Sequence, residues 1–260
     1  MVINPFTPTT QEKQQMTTFS DQMLAGKTAV VTGVNGGIAG AIADALKGVG
    51  AAVVGIDLND NSDVALDHYF PADLSQYDAV RAVAADVEQA TGGVDVLVNA
   101  AAITRPGPAI NIGEADWDPV LDVNAKGLFF LSQEFARGMA ARGHGKIVNF
   151  ASRCAYVGYE DFLSYNASKA AVVAITNTMA VELGAAGVQV NAIAPGFVMT
   201  PMTAYVKEDA ELDQRLLSRI PMRRYGTPAE AANLVLFLAS PASDYVTGVT
   251  VPLDGGMLVA

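Results

Sequence analysis

The chain has 260 residues, of which 51% are hydrophobic and 17% are charged, proportions typical of a protein with a large buried core. The formal net charge of -11 argues against nucleic acid or an anionic membrane as a partner, because both need a basic face. One cysteine excludes an internal disulfide framework and favours a reducing compartment. Residues 1–24 lack the charged-then-apolar order of a signal peptide, and no apolar run reaches the length of a membrane span. We therefore interpret residues 1–24 as an N-terminal extension and expect a cytoplasmic location.

Short apolar runs alternate with longer helical patterns after about residue 25. We predict strands at residues 27–32, 51–56, 69–72, 94–99, 146–151, 188–192 and 249–253. We predict helices from a glycine turn to about residue 46 and at residues 78–90, 114–142, 165–183 and 228–239. This alternation predicts one α/β domain over residues 25–260, a doubly wound parallel sheet of the Rossmann type with helices on both faces. Ligands bind such a sheet beyond the carboxyl ends of its strands.

Residues 195–226 interrupt this alternation. They contain no predicted strand and carry several methionines. They also carry three prolines, Pro195, Pro201 and Pro221. A long irregular insertion in a compact domain usually has a function. Because the insertion follows the end of a strand, we expect it to cover the ligand pocket.

A glycine-rich turn joins the first predicted strand to the first predicted helix, with the sequence TGVNGGIA over residues 32–39. Glycines at this place let the backbone turn tightly and approach a pyrophosphate at the helix N-terminus. A turn of this kind can also bind nothing, but its position after a buried strand favours a dinucleotide site. The candidate cofactor contacts in the turn are Gly33, Asn35, Gly36, Gly37 and Ile38.

Asp57 ends the second predicted strand, where a carboxylate can accept hydrogen bonds from the adenosine ribose hydroxyls. The same charge repels a 2′-phosphate, and no Arg or Lys occurs in residues 55–67 to offset it. The sequence therefore predicts NAD rather than NADP. Further candidate contacts follow the ends of the second, third and fourth strands: Leu58, Asp73, Leu74, Asn99, Ala100 and Ala101.

Tyr165 and Lys169 stand four residues apart at the head of an apolar helical run, so both side chains share one helix face. A phenol has a pKa of about 10, and a nearby ammonium favours the phenolate and brings that pKa toward the working range. Chance supplies many pairs at this spacing, but Ser152 also follows an apolar strand thirteen residues upstream of Tyr165. Together with the glycine turn, these residues predict an enzyme.

Other candidate reactive groups are weaker. Cys154 lies close to Ser152, but it has no obvious histidine partner that would make it a nucleophile. His68 and His144 are the only histidines and form no ligand-like cluster, so we predict surface positions for both and no metal site.

Taken together, these motifs resemble the short-chain dehydrogenase/reductase family over about residues 25–260. Two departures from the family pattern occur: Ala39 replaces the usual third glycine of the turn, and Ala100 and Ala102 replace the usual Asn and Gly. The matching elements are the glycine turn, Asp73-Leu74, the Asn-Ala-Ala-Ala run from Asn99, Asn124 within DVNAKG, Ser152, Tyr165 with Lys169, NAIAPG at residues 191–196 and DGG at residues 254–256.

The resemblance implies a role for each matching residue. Tyr165 would be the general acid/base, Lys169 would lower its pKa and bind the nicotinamide ribose, and Ser152 would hydrogen-bond the substrate oxygen. Asn124 would hold a water that links Lys169 to solvent. The family also implies a homotetramer and a nicotinamide carboxamide held near Pro195, Gly196, Val198 and Thr200.

We expect a small-molecule substrate, and fewer residues indicate its identity than indicate the cofactor. Arg105 lies beyond the fourth strand and Arg153 follows Ser152, and a guanidinium at the pocket mouth can bind a carboxylate through two hydrogen bonds. Tyr159 could contact sugar hydroxyls, and solvent or subunit contacts remain the alternative for all three residues. Within the family the chain looks most like dehydrogenases of sugars, polyols and sugar acids, including gluconate and 3-deoxy-keto-gluconate dehydrogenases.

We therefore expect an NAD-dependent enzyme that interconverts a secondary alcohol and a ketone on a sugar, polyol or sugar acid. One alternative is a 3-oxoacyl-thioester (acyl carrier protein) reductase, against which Asp57 and the acidic net charge argue. A second is a dinucleotide-binding sensor or scaffold without turnover.

Overall fold

A computed structural model of the chain describes residues 20–260. Its parallel strands are β1 (Thr28–Thr32), β2 (Ala52–Asp57), β3 (His68–Pro71), β4 (Val96–Asn99), β5 (Gly145–Phe150), β6 (Val188–Pro195) and β7 (Thr250–Leu253). Its α-helices are α1 (Gly37–Gly48), α2 (Tyr77–Thr91), α3 (Glu114–Leu121), α4 (Leu128–Arg142), α5 (Leu163–Leu183), α6 (Ala210–Ser218) and α7 (Pro228–Ala239). In the described part of the chain, no helix has both the length and the apolar character that crossing a membrane requires.

The seven strands form one sheet in the order β3-β2-β1-β4-β5-β6-β7, and every neighbouring pair is parallel. The predicted fold class is therefore confirmed. The direction of winding reverses between β1 and β4, and open α/β sheets bind ligands at such a point. Thr32 pairs with Asn99 at the carboxyl ends of these two strands. The glycine turn after β1 therefore lies beside the loop after β4.

Helices cover both faces of the sheet, which explains why its strands read as nearly continuous apolar runs. Consecutive residues of a strand point to opposite faces. Val31 belongs to the core cluster that includes Ile42 of α1 and Leu238 of α7. Val30 belongs to the opposite cluster with Phe135 of α4. The two clusters hold the carboxyl edge of the sheet in place as a platform for the site.

The predicted helix over residues 114–142 is divided. A single wide turn of π-helix at Asp122–Gly127 separates α3 from α4. Tertiary contacts accompany the wider turn: Asn124 is fully buried there, and Gly127 packs directly against the backbone carbonyl of Leu74. The bounds of the helical region predicted over residues 114–142 are confirmed, but the apolar periodicity continues through this turn and does not indicate the division.

The insertion at residues 195–226, called the cap below, is more ordered than its sequence indicates. It contains a 3-10 helix at Pro201–Glu208 and the α-helix α6, which is capped by Asp209. Its own apolar cluster includes Val206, Leu216 and Tyr225. The prediction of an irregular segment was therefore wrong, although the absence of a regular strand is confirmed.

The boundary between extension and domain, predicted after residue 24, lies earlier in the structure. Leu24 is 3% exposed and belongs to the core cluster around α1, and its amide donates to the Val49 carbonyl over 3.0 Å. The folded domain therefore begins before residue 25, while residues 1–19 of the predicted extension lie outside the described residues.

Candidate active site

Ser152, Tyr165 and Lys169 lie together beyond the carboxyl end of β5. Tyr165 and Lys169 occupy the first turns of α5, and the Lys169 Nζ lies 5.6 Å from the centre of the Tyr165 ring. Ser152 is 6% exposed and Lys169 is 2% exposed. The structure thus brings together the three residues that the sequence assigned to chemistry, in an enclosure with little solvent.

Backbone contacts fix two of these side chains. The Ser152 hydroxyl accepts from the Cys154 amide over 3.1 Å and caps a 3-10 turn at Arg153–Ala155. The Lys169 ammonium donates to the Phe150 carbonyl over 2.7 Å, which ties α5 to the last residue of β5. The sequence gives no signal for this carbonyl, because the acceptor is a main-chain atom.

Desolvation dominates the protonation of the site. Burial raises the pKa of Tyr165 to about 12, with a further rise from the neighbouring Cys154 and an opposing hydrogen bond with Ser152. Burial also lowers the pKa of Lys169 to about 8, against an opposite effect of Cys154. The expected lowering of the Tyr165 pKa by Lys169 is therefore not seen. Both groups share one apolar enclosure that favours their neutral forms.

Asn124 lies in the π-helical turn and contacts Ser168, the residue before Lys169. Its Oδ1 accepts from the Ile103 amide over 2.8 Å, and its Nδ2 donates to the Ile103 carbonyl over 2.9 Å and to the Ser168 hydroxyl over 3.0 Å. Ser168 in turn donates to the Tyr165 carbonyl over 2.8 Å. Asn124 therefore holds the loop after β4 against the first turn of α5. The predicted water relay stays a prediction.

The turn after β1 requires glycine at Gly33, whose φ is +66°. A Cβ at this position would lie 2.8 Å from the Ala101 Cα, so the two strand ends can approach only without a side chain. The Thr32 hydroxyl accepts from the amides of Ala100 and Ala101 over 3.0 and 3.1 Å. Thr32 was not among the predicted contacts, although a threonine directly before the first glycine was the available signal.

Asp57 lies at the end of β2 beside the glycine turn. Its Oδ2 accepts from the Asn35 amide over 3.1 Å, and its Oδ1 accepts from the Asn59 amide over 3.3 Å. Lys47, a basic residue of α1, is engaged elsewhere, with the Ala65 carbonyl at 3.3 Å and Asp67 at 3.4 Å. The carboxylate of Asp57 therefore lies against the glycine turn without a basic partner among the described residues.

The remaining strand-end candidates differ in placement. Leu58 is 70% exposed, whereas Leu74 is 8% exposed. Asp73 accepts from the Ser75 amide over 2.9 Å and so shapes the turn before α2. Asn99 points its side chain into the interior, where its Nδ2 donates to Ser132 over 2.8 Å and to Asn149 over 2.9 Å. The side chain of Asn99 therefore joins α4 and β5 and does not face the glycine turn.

The cap begins where β6 ends and reaches the glycine turn. The Gly196 amide donates to the Leu253 carbonyl over 2.9 Å, and Val198 is 4% exposed. Thr200 caps the 3-10 helix of the cap. A Cβ on Gly37 would lie 3.1 Å from the Pro201 Cδ. The cap therefore touches the N-terminus of α1, as expected of a segment that covers a cofactor cleft.

The two arginines proposed for the substrate lie in different surroundings. Arg105 is exposed and donates only to the adjacent Thr104 carbonyl, over 3.4 Å, within the described residues. Arg153 is 7% exposed, with its guanidinium carbon 5.1 Å from the centre of the Tyr159 ring and 5.4 Å from that of Phe197. Phe197, in the cap, was not singled out from the sequence.

These residues fit a nicotinamide dinucleotide. A left-handed glycine stands at the switch point, a helix N-terminus follows it, and a carboxylate ends the next strand. Within residues 20–260, no group of three His, Cys, Asp or Glu side chains could hold a metal ion, and His68 and His144 are exposed. The fold and the Ser152, Tyr165 and Lys169 group define the class of dinucleotide-dependent oxidoreductases.

Comparison with known proteins identifies the family. The family model described as enoyl-(acyl carrier protein) reductase matches residues 33–258. The chain belongs to the short-chain dehydrogenase/reductase family.

Two relatives and one solved structure illustrate the range of similar proteins. The chain is 38% identical over 244 residues to 2-dehydro-3-deoxy-D-gluconate 5-dehydrogenase of Escherichia coli, covering 90% of this chain and 96% of that protein. It is 39% identical over 246 residues to 3-oxoacyl-[acyl-carrier-protein] reductase of Thermotoga maritima, covering 91% and 99%. A gluconate 5-dehydrogenase from Burkholderia cenocepacia, solved in complex with NADP and tartrate, superposes with a TM-score of 0.86 at 35% identity, covering 92% and 98%.

Proposed function

We propose that this protein is an NAD(H)-dependent oxidoreductase that interconverts a secondary alcohol and a ketone on a sugar, polyol or sugar acid. The observation that carries the proposal is the group of buried Ser152, half-buried Tyr165 and buried Lys169, at the same carboxyl edge of the sheet as the glycine turn. A phenol, a hydroxyl and an amine in one enclosure can bind a carbinol oxygen and move its proton without a metal ion.

The chain's own residues handle the proton and the oxygen. A bound nicotinamide would accept a hydride from the carbinol carbon or return one to a ketone. In ketone reduction, Tyr165 donates its phenolic proton to the substrate oxygen, and Ser152 stabilises the charge that develops there. The pKa of Tyr165, raised to about 12 by burial, keeps this proton in place at neutral pH. In alcohol oxidation, Tyr165 must first lose this proton, and the resulting phenolate takes the hydroxyl proton of the substrate.

The proposal of NAD over NADP rests on Asp57. Its carboxylate lies beside the Asn35 amide, where a 2′-phosphate would meet a like charge, and residues 55–67 contain no Arg or Lys. The Burkholderia relative was solved with NADP. Cofactor preference is therefore the first property to measure.

The proposed substrate class is supported by the name of the Escherichia coli relative, which is a sugar-acid dehydrogenase, and by the dicarboxylate tartrate in the Burkholderia structure. A second candidate is reduction of a 3-oxoacyl thioester, favoured by the description of the family model and by the Thermotoga relative. The net charge of -11 disfavours it, because an acidic acyl-carrier partner needs a basic rim.

The test is a turnover assay that follows NADH absorbance across sugars, polyols, aldonic acids and 3-hydroxyacyl thioesters, repeated with NADP. We expect turnover of a polyhydroxylated substrate with NAD. Turnover of thioesters alone would establish the second candidate, and turnover with NADP alone would overturn the cofactor assignment. Stoichiometric NADH binding without turnover of any substrate would instead indicate a sensor or scaffold.

A further inference from the structure

We infer that Arg153 binds a carboxylate of the substrate and makes this enzyme selective for sugar acids over neutral polyols. The inference rests on the proposed function and narrows it, because the same pocket with an uncharged residue at this position would accept either class. It also assigns the role to Arg153 and not to Arg105.

The first argument is a buried cation without a protein counter-ion in the described part of the chain. Arg153 is 7% exposed, and its guanidinium forms no hydrogen bond or ion pair with the atoms that the structure describes, although none of its nitrogens is among the fully enclosed polar atoms that lack a partner. An arginine carries five N–H donors and is always charged, and such groups are almost never buried without a partner. A ligand that brings an acceptor pair would remove this cost.

The second argument is the geometry around the guanidinium. Tyr159 and Phe197 hold it between two aromatic rings, at 5.1 and 5.4 Å from the ring centres. Rings at this distance attract the cation but do not satisfy its N–H donors. The aromatic contacts therefore fix the cation in place and leave its donors available to a planar acid, which matches the paired donors of arginine.

The third argument is position. Arg153 directly follows Ser152 on the 3-10 turn, so an anion bound to it lies within a few carbons of the reacting carbinol. Phe197 belongs to the cap, so the bound acid would be enclosed between the catalytic turn and the cap. Arg105 has no such enclosure, because it is exposed.

Nearby acids do not take the place of the ligand. Glu160 and Asp161 follow Tyr159 in the chain, and both are exposed. Together with Tyr159, they line a surface cavity of about 510 Å³ that also borders Leu163 and Asn166, and neither forms an ion pair with Arg153 in the described part of the chain. Their charge disfavours an anion in that cavity, so Arg153 is the place for a carboxylate.

The experiment compares gluconate with glucitol, which share a carbon chain and differ only in a carboxylate against a hydroxymethyl group. Arg153→Met should lower kcat/KM for gluconate by about 10- to 100-fold, the range for a lost charged hydrogen bond, and change that for glucitol by less than about threefold. Arg153→Lys should recover part of the loss, since it keeps the charge without the fork. Arg81→Gln, which removes an exposed positive charge on α2, is the control.

Equal losses for gluconate and glucitol in Arg153→Met would mean a structural role and would overturn the inference. So would a loss of acid selectivity in Arg105→Gln but not in Arg153→Lys or Arg153→Met. If Arg153→Met fails to fold, Arg153→Gln takes its place because it also removes the charge, and an unchanged ratio of kcat/KM between the two substrates in that variant would overturn the inference.

A binding measurement separates this inference from the proposed function. In the Tyr165→Phe variant with NADH present, gluconate titrated by calorimetry should bind, and Arg153→Met in that background should abolish the binding. Arg153-dependent binding without turnover by the native enzyme would leave the inference standing and remove the proposed function. Turnover of sugar acids together with binding that does not depend on Arg153 would support the proposed function and overturn the inference.

Discussion

At the scale of single residues, Tyr165 and Lys169 combine proximity with burial. Their four-residue spacing places both on one face of α5, with the Lys169 Nζ 5.6 Å from the phenol ring centre. The loss of solvation moves the pKa of the phenol up and that of the amine down. In the free enzyme, burial therefore favours the neutral form of both side chains, whereas their spacing in the sequence predicted a phenolate beside an ammonium. The phenol retains its proton.

Replacing the phenol by a phenyl ring should stop the proton transfer and leave the cofactor site intact. For Tyr165→Phe we expect turnover to fall by about 10²- to 10⁴-fold, the usual contribution of general acid/base catalysis, with NADH affinity within a few-fold of the native value. Steady-state rates and NADH fluorescence titration measure the two effects. Tyr77→Phe removes a hydroxyl from a partly exposed tyrosine of α2 and is the control. Retained turnover in Tyr165→Phe would remove it as the acid/base.

The buried Lys169 should make stability depend on pH. Its pKa falls from 10.5 to about 8 on folding, so the unfolded chain binds more protons between these values, and stability must rise with pH across that window. The full difference corresponds to about 3 kcal/mol. Tyr165 acts in the opposite direction only above pH 10, because its pKa rises from 10.0 to about 12.

Urea unfolding between about pH 8 and pH 10, inside the Lys169 window and below that of Tyr165, should therefore show native stability rising relative to Lys169→Met. A Cys154→Ser background removes the neighbouring thiol, which influences both pKa values. Parallel stability curves for the native protein and Lys169→Met would show that the amine does not titrate in this range.

The acid at the end of β2 should control the choice between cofactors. Asp57→Ala removes the charge that a 2′-phosphate would meet, so we expect the ratio of kcat/KM for NAD to that for NADP to fall by at least about tenfold. Asp60→Ala removes a carboxylate from the exposed loop that follows and is the matched control. An unchanged ratio in Asp57→Ala would assign cofactor choice to another group.

At the scale of elements, sequence patterns predicted helices and strands that have a regular apolar period or a capping motif. They did not predict features that depend on tertiary contacts. The helix at residues 228–239 has its predicted bounds, because a Thr-Pro start and a Glu three residues after Thr227 form a capping box. The π-helical turn at Asp122–Gly127 has no such signal, since its geometry is accompanied by contacts with Ile103 and Leu74, which are distant in sequence. In the cap, frequent prolines obscured the short helix α6.

The π-helical turn should tolerate almost no added volume at Gly127. A Cβ there would lie well inside van der Waals contact of the Leu74 carbonyl, a backbone atom that cannot move independently. We expect Gly127→Ala to cost at least about 1–3 kcal/mol of unfolding free energy, measured by urea titration. Gly48→Ala is the matched control, because it meets no atom within 4 Å and should be neutral or slightly stabilising. Equal midpoints for both variants would contradict the close packing.

At the scale of the whole molecule, topology explains why the site could be assembled from the sequence. A parallel sheet brings its strand ends to one edge, so residues placed after β1, β2, β4 and β5 had to converge. Side-chain direction was less accessible: Asn99 stands at the expected strand end but points into the interior. The enclosure of Arg153 by Phe197 also escaped prediction, because it depends on how the cap folds back onto the sheet.

Assembly is the property of the whole molecule that the sequence and the exposed surface jointly predict. The outward face of α5 carries small or apolar residues, Ala170, Ala174 and Val181, and Val181 is 84% exposed in the single chain. Small residues allow two helices to approach closely, and the family resemblance implies a homotetramer, so we expect about four times the 27.0 kDa mass of the chain in light scattering. Ala174→Arg should split this assembly, because the long charged side chain would be buried against its symmetry mate. Ala85→Arg, at an exposed position on α2, should leave it intact. A native monomer at micromolar concentration would contradict the prediction, and dissociation by both variants would place the interface elsewhere.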